Sequence, residues 1–168
     1  MIFSFQNASF RDHDTGLYNQ AYFMEVFNRE WHRLIRDQDA LTVILVDPHV
    51  NLRDEQQKIL FVELANILKL QTYRSTDLVC RFNDNYFALG LFGLNQGGTN
   101  VIIERIQAAI KTALGESFGA VNICYGAVNV HPNDTVNIEM FFQETLGVLH
   151  AAELNGVNSF KITQYTQH

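Results

Sequence analysis

The sequence predicts one α/β (α+β) domain in which a central mixed β-sheet is flanked by helices. Three observations predict it. Four segments repeat apolar residues at helical spacing, short apolar runs rich in β-branched residues stand between them, and two of these runs are parted only by the turn formers Asn83-Asp84-Asn85.

Ala21 to Ile35 places Phe23, Val26, Phe27, Trp31 and Leu34 on one face, an amphipathic helix. Leu41 to Val46 (LTVILV) is a continuous apolar run closed by Asp47-Pro48, as expected of a central strand buried on both faces. Asp54 to Leu70 carries Leu60, Leu64, Ile67 and Leu68 at helical spacing. Leu78 to Phe82 and Tyr86 to Leu91 then form the hairpin around Asn83-Asp84-Asn85. Asn95 to Thr99 is a loop, and Ile102, Ile106, Ala109, Ile110 and Ala113 share a face of the next helix. Ala120 to Val130 is expected as a strand and His131 to Thr135 as a loop. Ile138 to Glu153 reads as a helix buried through Phe141, Phe142, Thr145, Leu149 and Ala152, and Ser159 to Thr163 as a last short strand. No linker or repeat interrupts the order.

Composition narrows the function classes. With 168 residues, 47% apolar and 18% charged, the chain can bury a core without disulfides or a structural metal. The net charge of −6 includes no run of Lys or Arg, which excludes long nucleic acids as partners. A small anionic ligand needs only two or three well-placed Arg and stays open. Cys80 and Cys124 lie in apolar strand-like runs and are expected to be buried reduced thiols. The six His show no ligand spacing, so no metal site and no cofactor is assigned. No apolar stretch reaches bilayer length and Met1 to Phe10 lacks a signal-peptide pattern, so the expected location is cytoplasmic, free or as the cytoplasmic domain of a larger or membrane-anchored protein.

The motifs fall in a telling order. Asp12 to Gln20 reads D-H-D-T-G-L-Y-N-Q, the strand LTVILVD ends at Asp47, and Arg81 to Phe87 reads R-F-N-D-N-Y-F. Cys124-Tyr125-Gly126 falls in the strand after the third helix, and Gly156-Val157-Asn158 precedes the last strand. In place and order these resemble the D-x-L-T-G-L-x-N-R opening, the strand of the first catalytic aspartate, R-Y-G-G-D-E-F, S-x-G and G-R-N of the GGDEF (diguanylate cyclase) family. The resemblance implies a nucleotidyl-cyclase-like, ferredoxin-type topology over residues 12–165, with the hairpin at the signature and a lead-in segment over residues 1–11.

The same resemblance implies that cyclase chemistry is lost. Family cyclases join two GTP molecules using Mg²⁺ held by two acidic positions, a reaction that rests on positioning and charge neutralisation. Asp47 survives, but Asn85 and Tyr86 stand where the signature has its acidic letters, leaving these three as vestigial. One carboxylate makes a poor magnesium site, and Asp47 is expected to be solvated or to cap a turn. Asn83 and Asp84 replace the paired glycines that let backbone approach phosphates. The stretch that carries the guanine-binding residues is shortened to Pro48 to Asp54, and the phosphate-binding Lys and Arg correspond to Glu153 and Val157. Losing several charge-assisted contacts, each about 1.5–3 kcal/mol, lowers GTP affinity by at least roughly a thousandfold.

A second site is implied as retained. Many family members bind their product, cyclic di-GMP, at an inhibitory R-x-x-D site (I-site) five residues before the signature, often with a second Arg in E-R-I on the following helix. Arg74-Ser75-Thr76-Asp77 and Glu104-Arg105-Ile106 match both. Arg offers a rigid fork for guanine O6 and N7 or for phosphate oxygens, while an ionised Asp accepts from guanine N1 and N2. Arg105 falls at the border of core and solvent, with its head group expected to be solvated. A turn-capping or Arg81-paired Asp77, with Arg74 and Arg105 as surface charges, is the alternative reading. The expected function is therefore an inactive cyclic di-GMP receptor module acting on another protein or domain, with homodimerisation as a further expected partnership. The alternatives are a ligand-free interaction or dimerisation domain using Ile2, Phe3, Phe5 and Phe10, and, less favoured, an active cyclase.

Overall fold

The computed structural model describes residues 10–72 and 74–165. Its elements are α1 (Gln20–Asp37), β1 (Leu41–Asp47), α2 (Glu55–Gln71), β2 (Leu78–Phe82), β3 (Tyr86–Phe92), α3 (Gln96–Leu114), a 3₁₀ turn (Gly115–Ala120), β4 (Cys124–Val130), α4 (Ile138–Leu154) and β5 (Phe160–Gln164). The helices start at side-chain caps. Asn19, Asp54, Asn95 and Asn137 each accept from a backbone N–H of the first turn, which satisfies donors that have no intrahelical partner.

The sheet runs β2-β3-β1-β4-β5, antiparallel except for the β4–β5 pair. It is the mixed sheet that the sequence predicts. The strand period of two sorts β1 between two cores: Ile44 and Val46 meet α2 and α3 through Phe61, Leu64, Ile103 and Ile106, while Val43 and Leu45 meet α1 and α4 through Phe23, Phe27, Phe141 and Leu149. β1, buried at every residue, is the central strand of a three-layer α/β/α domain.

One boundary differs from the sequence reading. β4 begins at Cys124 rather than Ala120. The preceding backbone is satisfied by a side chain instead of a ladder: Asn158 accepts from the Ile123 N–H at 2.7 Å and donates to the Val121 carbonyl at 3.2 Å. The mostly apolar run at residues 120–123 cannot reveal that competition. Ile2, Phe3 and Phe5 lie outside the described residues.

Candidate functional sites

The opening D-H-D-T-G-L-Y-N segment is a clamp. Asp12 accepts from the Thr15 N–H and hydroxyl, and Asp12 and Asp14 hold the Arg81 guanidinium at 3.1 and 2.9 Å. Arg81 in turn donates to the Asp84 carbonyl at 2.7 Å, so the clamp reaches the signature turn. Arg81 is thereby committed away from Asp77, which removes one of the two structural readings of that aspartate.

Within the turn, Asn83 and Asp84 both have positive φ, 47° and 66°. This left-handed backbone favours glycine and is otherwise best tolerated by Asn and Asp, so the hairpin keeps its shape without the glycine pair. Part of its backbone is already bonded. The Asn83 N–H donates to the Gln20 side chain at 2.9 Å, and the Asn85 N–H donates to the Asn83 carbonyl at 2.7 Å. Asn85 is exposed, and Tyr86 opens β3 with its hydroxyl pushed up by burial and by nearby Asp47 and Glu153. Side chains of Asn and Tyr offer no anionic oxygen at neutral pH, so the residues present do not fit the family's magnesium site.

Asp47 departs from the expectation of a solvated carboxylate. It is only 9% exposed and it does cap a turn, accepting from the His49 N–H at 2.9 Å. It also faces the His49 ring and the Glu153 carboxyl, and the ligand atoms of these three side chains lie within 4.8 Å of one another. Burial first, and then the adjoining Asp47 carboxyl, push Glu153 up to about 7. Sequence reasoning missed this grouping. Asp47 and His49 are two residues apart, which is a signal, but Glu153 joins only because β4 and α4 pack where they do.

The R-x-x-D residues gather at the other end of the hairpin. The Asp77 side chain is 3% exposed, 3.8 Å from Arg74 Nε, and its Oδ1 has no hydrogen-bond partner among the described residues. Burial raises its pKa, and the Arg74 charge, a hydrogen bond from the Arg74 backbone N–H and the Arg105 charge pull it part of the way back, so Asp77 also caps its own turn. Arg74 donates to the Phe92 carbonyl at the end of β3 at 2.9 Å. Arg105 is not solvated as expected: Nε donates to Gln71 Oε1 at 3.1 Å and Nη2 to the Gln71 carbonyl at 2.7 Å, at the last residue of α2. The α2 end sits over α3 through core packing, and that places a carbonyl in reach of the guanidinium. Beside Asp77 lies a cleft of about 180 Å³ bordered by two further cations, Arg11 and Lys69. That is below the roughly 300–1,000 Å³ of pockets that enclose drug-sized ligands, so this cleft does not enclose a dinucleotide.

Two other motif matches are structural. A Cβ on Gly126 would stand 2.3 Å from the Leu149 backbone nitrogen, so the glycine lets α4 rest directly on β4. Asn158, with φ of 54°, makes the β4–β5 staple described above.

Comparison with known proteins accords with this geometry. The family described as "Diguanylate cyclase, GGDEF domain" matches residues 9–159. No curated protein matches the sequence. Among solved structures, the diguanylate cyclase SiaD in complex with its activator SiaC from Pseudomonas aeruginosa is similar at 20% identity and a TM-score of 0.81, covering 96% of this chain and 64% of that one. The coiled coil and GGDEF domain of DgcB from Caulobacter crescentus, in complex with c-di-GMP, aligns at 12% identity and a TM-score of 0.83 over 96% of this chain and 89% of that one. The FimX GGDEF domain from Pseudomonas aeruginosa aligns at 16% identity and a TM-score of 0.68, over 94% of this chain and 100% of that one. The chain thus spans a little under two thirds of the SiaD structure, and at these identities the structural likeness carries the fold alone. With the family match extending over nearly its whole length, the chain belongs to the GGDEF domain family.

Proposed function

We propose that this GGDEF domain is a catalytically inactive cytoplasmic receptor for cyclic di-GMP that transmits ligand occupancy to a partner protein or domain. The observation that carries this reading is the buried Asp77 carboxylate, with an oxygen lacking a hydrogen-bond partner among the described residues and the charges of Arg74 and Arg105 beside it. Keeping a desolvated, incompletely satisfied carboxylate costs about 1–3 kcal/mol. A ligand that donates from guanine N1 and N2 would recover that cost, while the arginines meet O6, N7 or phosphate.

Two features support inactivity. The signature turn has its Asn83 N–H and Asp84 carbonyl already bonded within the chain, and the side chains of Asn85 and Tyr86 supply no metal-binding anion. Glu153 stands where the resemblance expects a phosphate-binding Lys, so the site would repel a triphosphate.

Calorimetric titration tests both halves. Cyclic di-GMP is expected to saturate the protein at micromolar concentration, and GTP with Mg²⁺ to show no saturation there. A flat cyclic di-GMP titration at high micromolar ligand would remove the receptor reading and leave a ligand-free interaction domain.

A further inference from the structure

Asp47, His49 and Glu153 stand apart from the Arg74–Asp77–Arg105 cluster, at the end of β1 and the last turn of α4. His49 Nδ1 is 2.6 Å from the Asn122 carbonyl. A carbonyl only accepts, so Nδ1 carries a proton, and a neutral ring presents the lone pair of Nε2 away from Asn122. That nitrogen faces Asp47 Oδ2 at 3.4 Å and Glu153 Oε1 at 3.7 Å. Three acceptors therefore converge on one point. Glu153 Oε1 is buried with no hydrogen-bond partner among the described residues, and burial and the adjoining Asp47 carboxyl both disfavour its charge.

The arrangement has the form of a metal site without its ion. Ligand atoms placed tetrahedrally at about 2.0–2.1 Å from a metal lie roughly 3.3–3.4 Å apart, close to the His49 separations. A ring N–H given to a backbone carbonyl is the usual way of orienting a ligating histidine. Glu153 is also misplaced for an uncompensated charge, since the last turn of α4 holds no basic residue and a helix C-terminus disfavours an anion.

We propose that Asp47, His49 and Glu153 bind a divalent transition metal of the zinc class, with an open position for water. One imidazole and two carboxylates suit zinc and its neighbours better than magnesium, which prefers an all-oxygen octahedron. Asp47 and Glu153 stand where the resemblance places a metal aspartate and a phosphate-binding Lys, but with Asn85 and Tyr86 in the signature turn this set does not rebuild the GTP site. The ion ties the end of β1 to the end of α4.

The test uses the chelator-stripped chain titrated with zinc sulfate and, separately, magnesium chloride, followed by calorimetry and melting temperature. One zinc per chain is expected at micromolar or tighter affinity, with magnesium at least a hundredfold weaker. His49→Gln and Glu153→Gln should each weaken zinc at least tenfold, while His131→Gln, at an exposed position, binds as wild type. Near-UV circular dichroism establishes that both ligand variants are folded, and Asp47→Asn serves if either is not. Absence of saturable zinc binding overturns the proposal, as does equal affinity in folded His49→Gln and Glu153→Gln, which would mark adventitious zinc only. Arg74→Ala should bind zinc as wild type, which keeps this result independent of the cyclic di-GMP reading.

Discussion

Arg74, Asp77 and Arg105 behave differently because each is held differently. Arg74→Ala should lower cyclic di-GMP affinity by roughly 2–3 kcal/mol, about thirty- to a hundredfold, and because Arg74 also donates to the Phe92 carbonyl and neighbours buried Asp77 it should cost about 1 kcal/mol of stability. Arg105→Ala should lose similar affinity, and because Gln71 anchors Arg105 to the end of α2 it should also cost about 1 kcal/mol of stability, or about 2–4 °C. Asp77→Asn removes a buried charge while keeping shape and leaves an exposed Arg74 partner, so it should abolish binding and leave the free domain at least as stable as wild type. The pH dependence has a definite sign. Burial raises the Asp77 pKa above 3.8, so the folded state holds this proton more tightly than the unfolded one. The resulting stability is complete below the unfolded pKa and disappears as pH rises through the folded value. Chemical denaturation between pH 3 and 6 should show that contribution in wild type and its absence in Asp77→Asn. Loss of binding without any stability change on Arg105→Ala would contradict the anchoring by Gln71.

Motifs of the β4–α4 pair and of the hairpin persist for packing reasons. Gly126→Ala should cost about 1–3 kcal/mol, since its Cβ would overlap the Leu149 backbone and neither element can retreat without opening the core. Thermal melts of the variant measure this, and a wild-type melting temperature would mean that α4 shifts freely. The hairpin provides the complementary case. Replacing Asn83 and Asp84 together by Gly fits the positive φ values and should leave the domain folded. It should not restore GTP binding, because Asn85, Tyr86 and Glu153 remain. A calorimetric signal for GTP in that variant would show that the turn alone had blocked the site.

For the domain as one unit, incubation with GTP and either Mg²⁺ or Mn²⁺ should yield no cyclic di-GMP above a protein-free control. Steady turnover lost on Asp47→Ala would refute inactivity. Saturating cyclic di-GMP at a hundredfold above its dissociation constant should stabilise the fold by about 2.7 kcal/mol, a rise of roughly 5–10 °C in melting temperature. No described helix is long and apolar enough to cross a membrane.

Element order, the hairpin and both faces of β1 were legible in the residues, because helical and strand periodicities are local and the apolar patterns at Ala21–Ile35 and Leu41–Val46 are strong. The family was legible too, since its surviving letters sit where backbone geometry demands them: Gly126 under α4, Asn158 across β4 and β5, Asp12 against Arg81. Three things depended on the assembled fold: the burial of Asp77, the Gln71 anchor of Arg105, and the meeting of His49 and Glu153 across about a hundred residues. Each is a property of which chain segments pack together, and sequence spacing reports neither the desolvation of a carboxylate nor which carbonyl lies opposite a side chain.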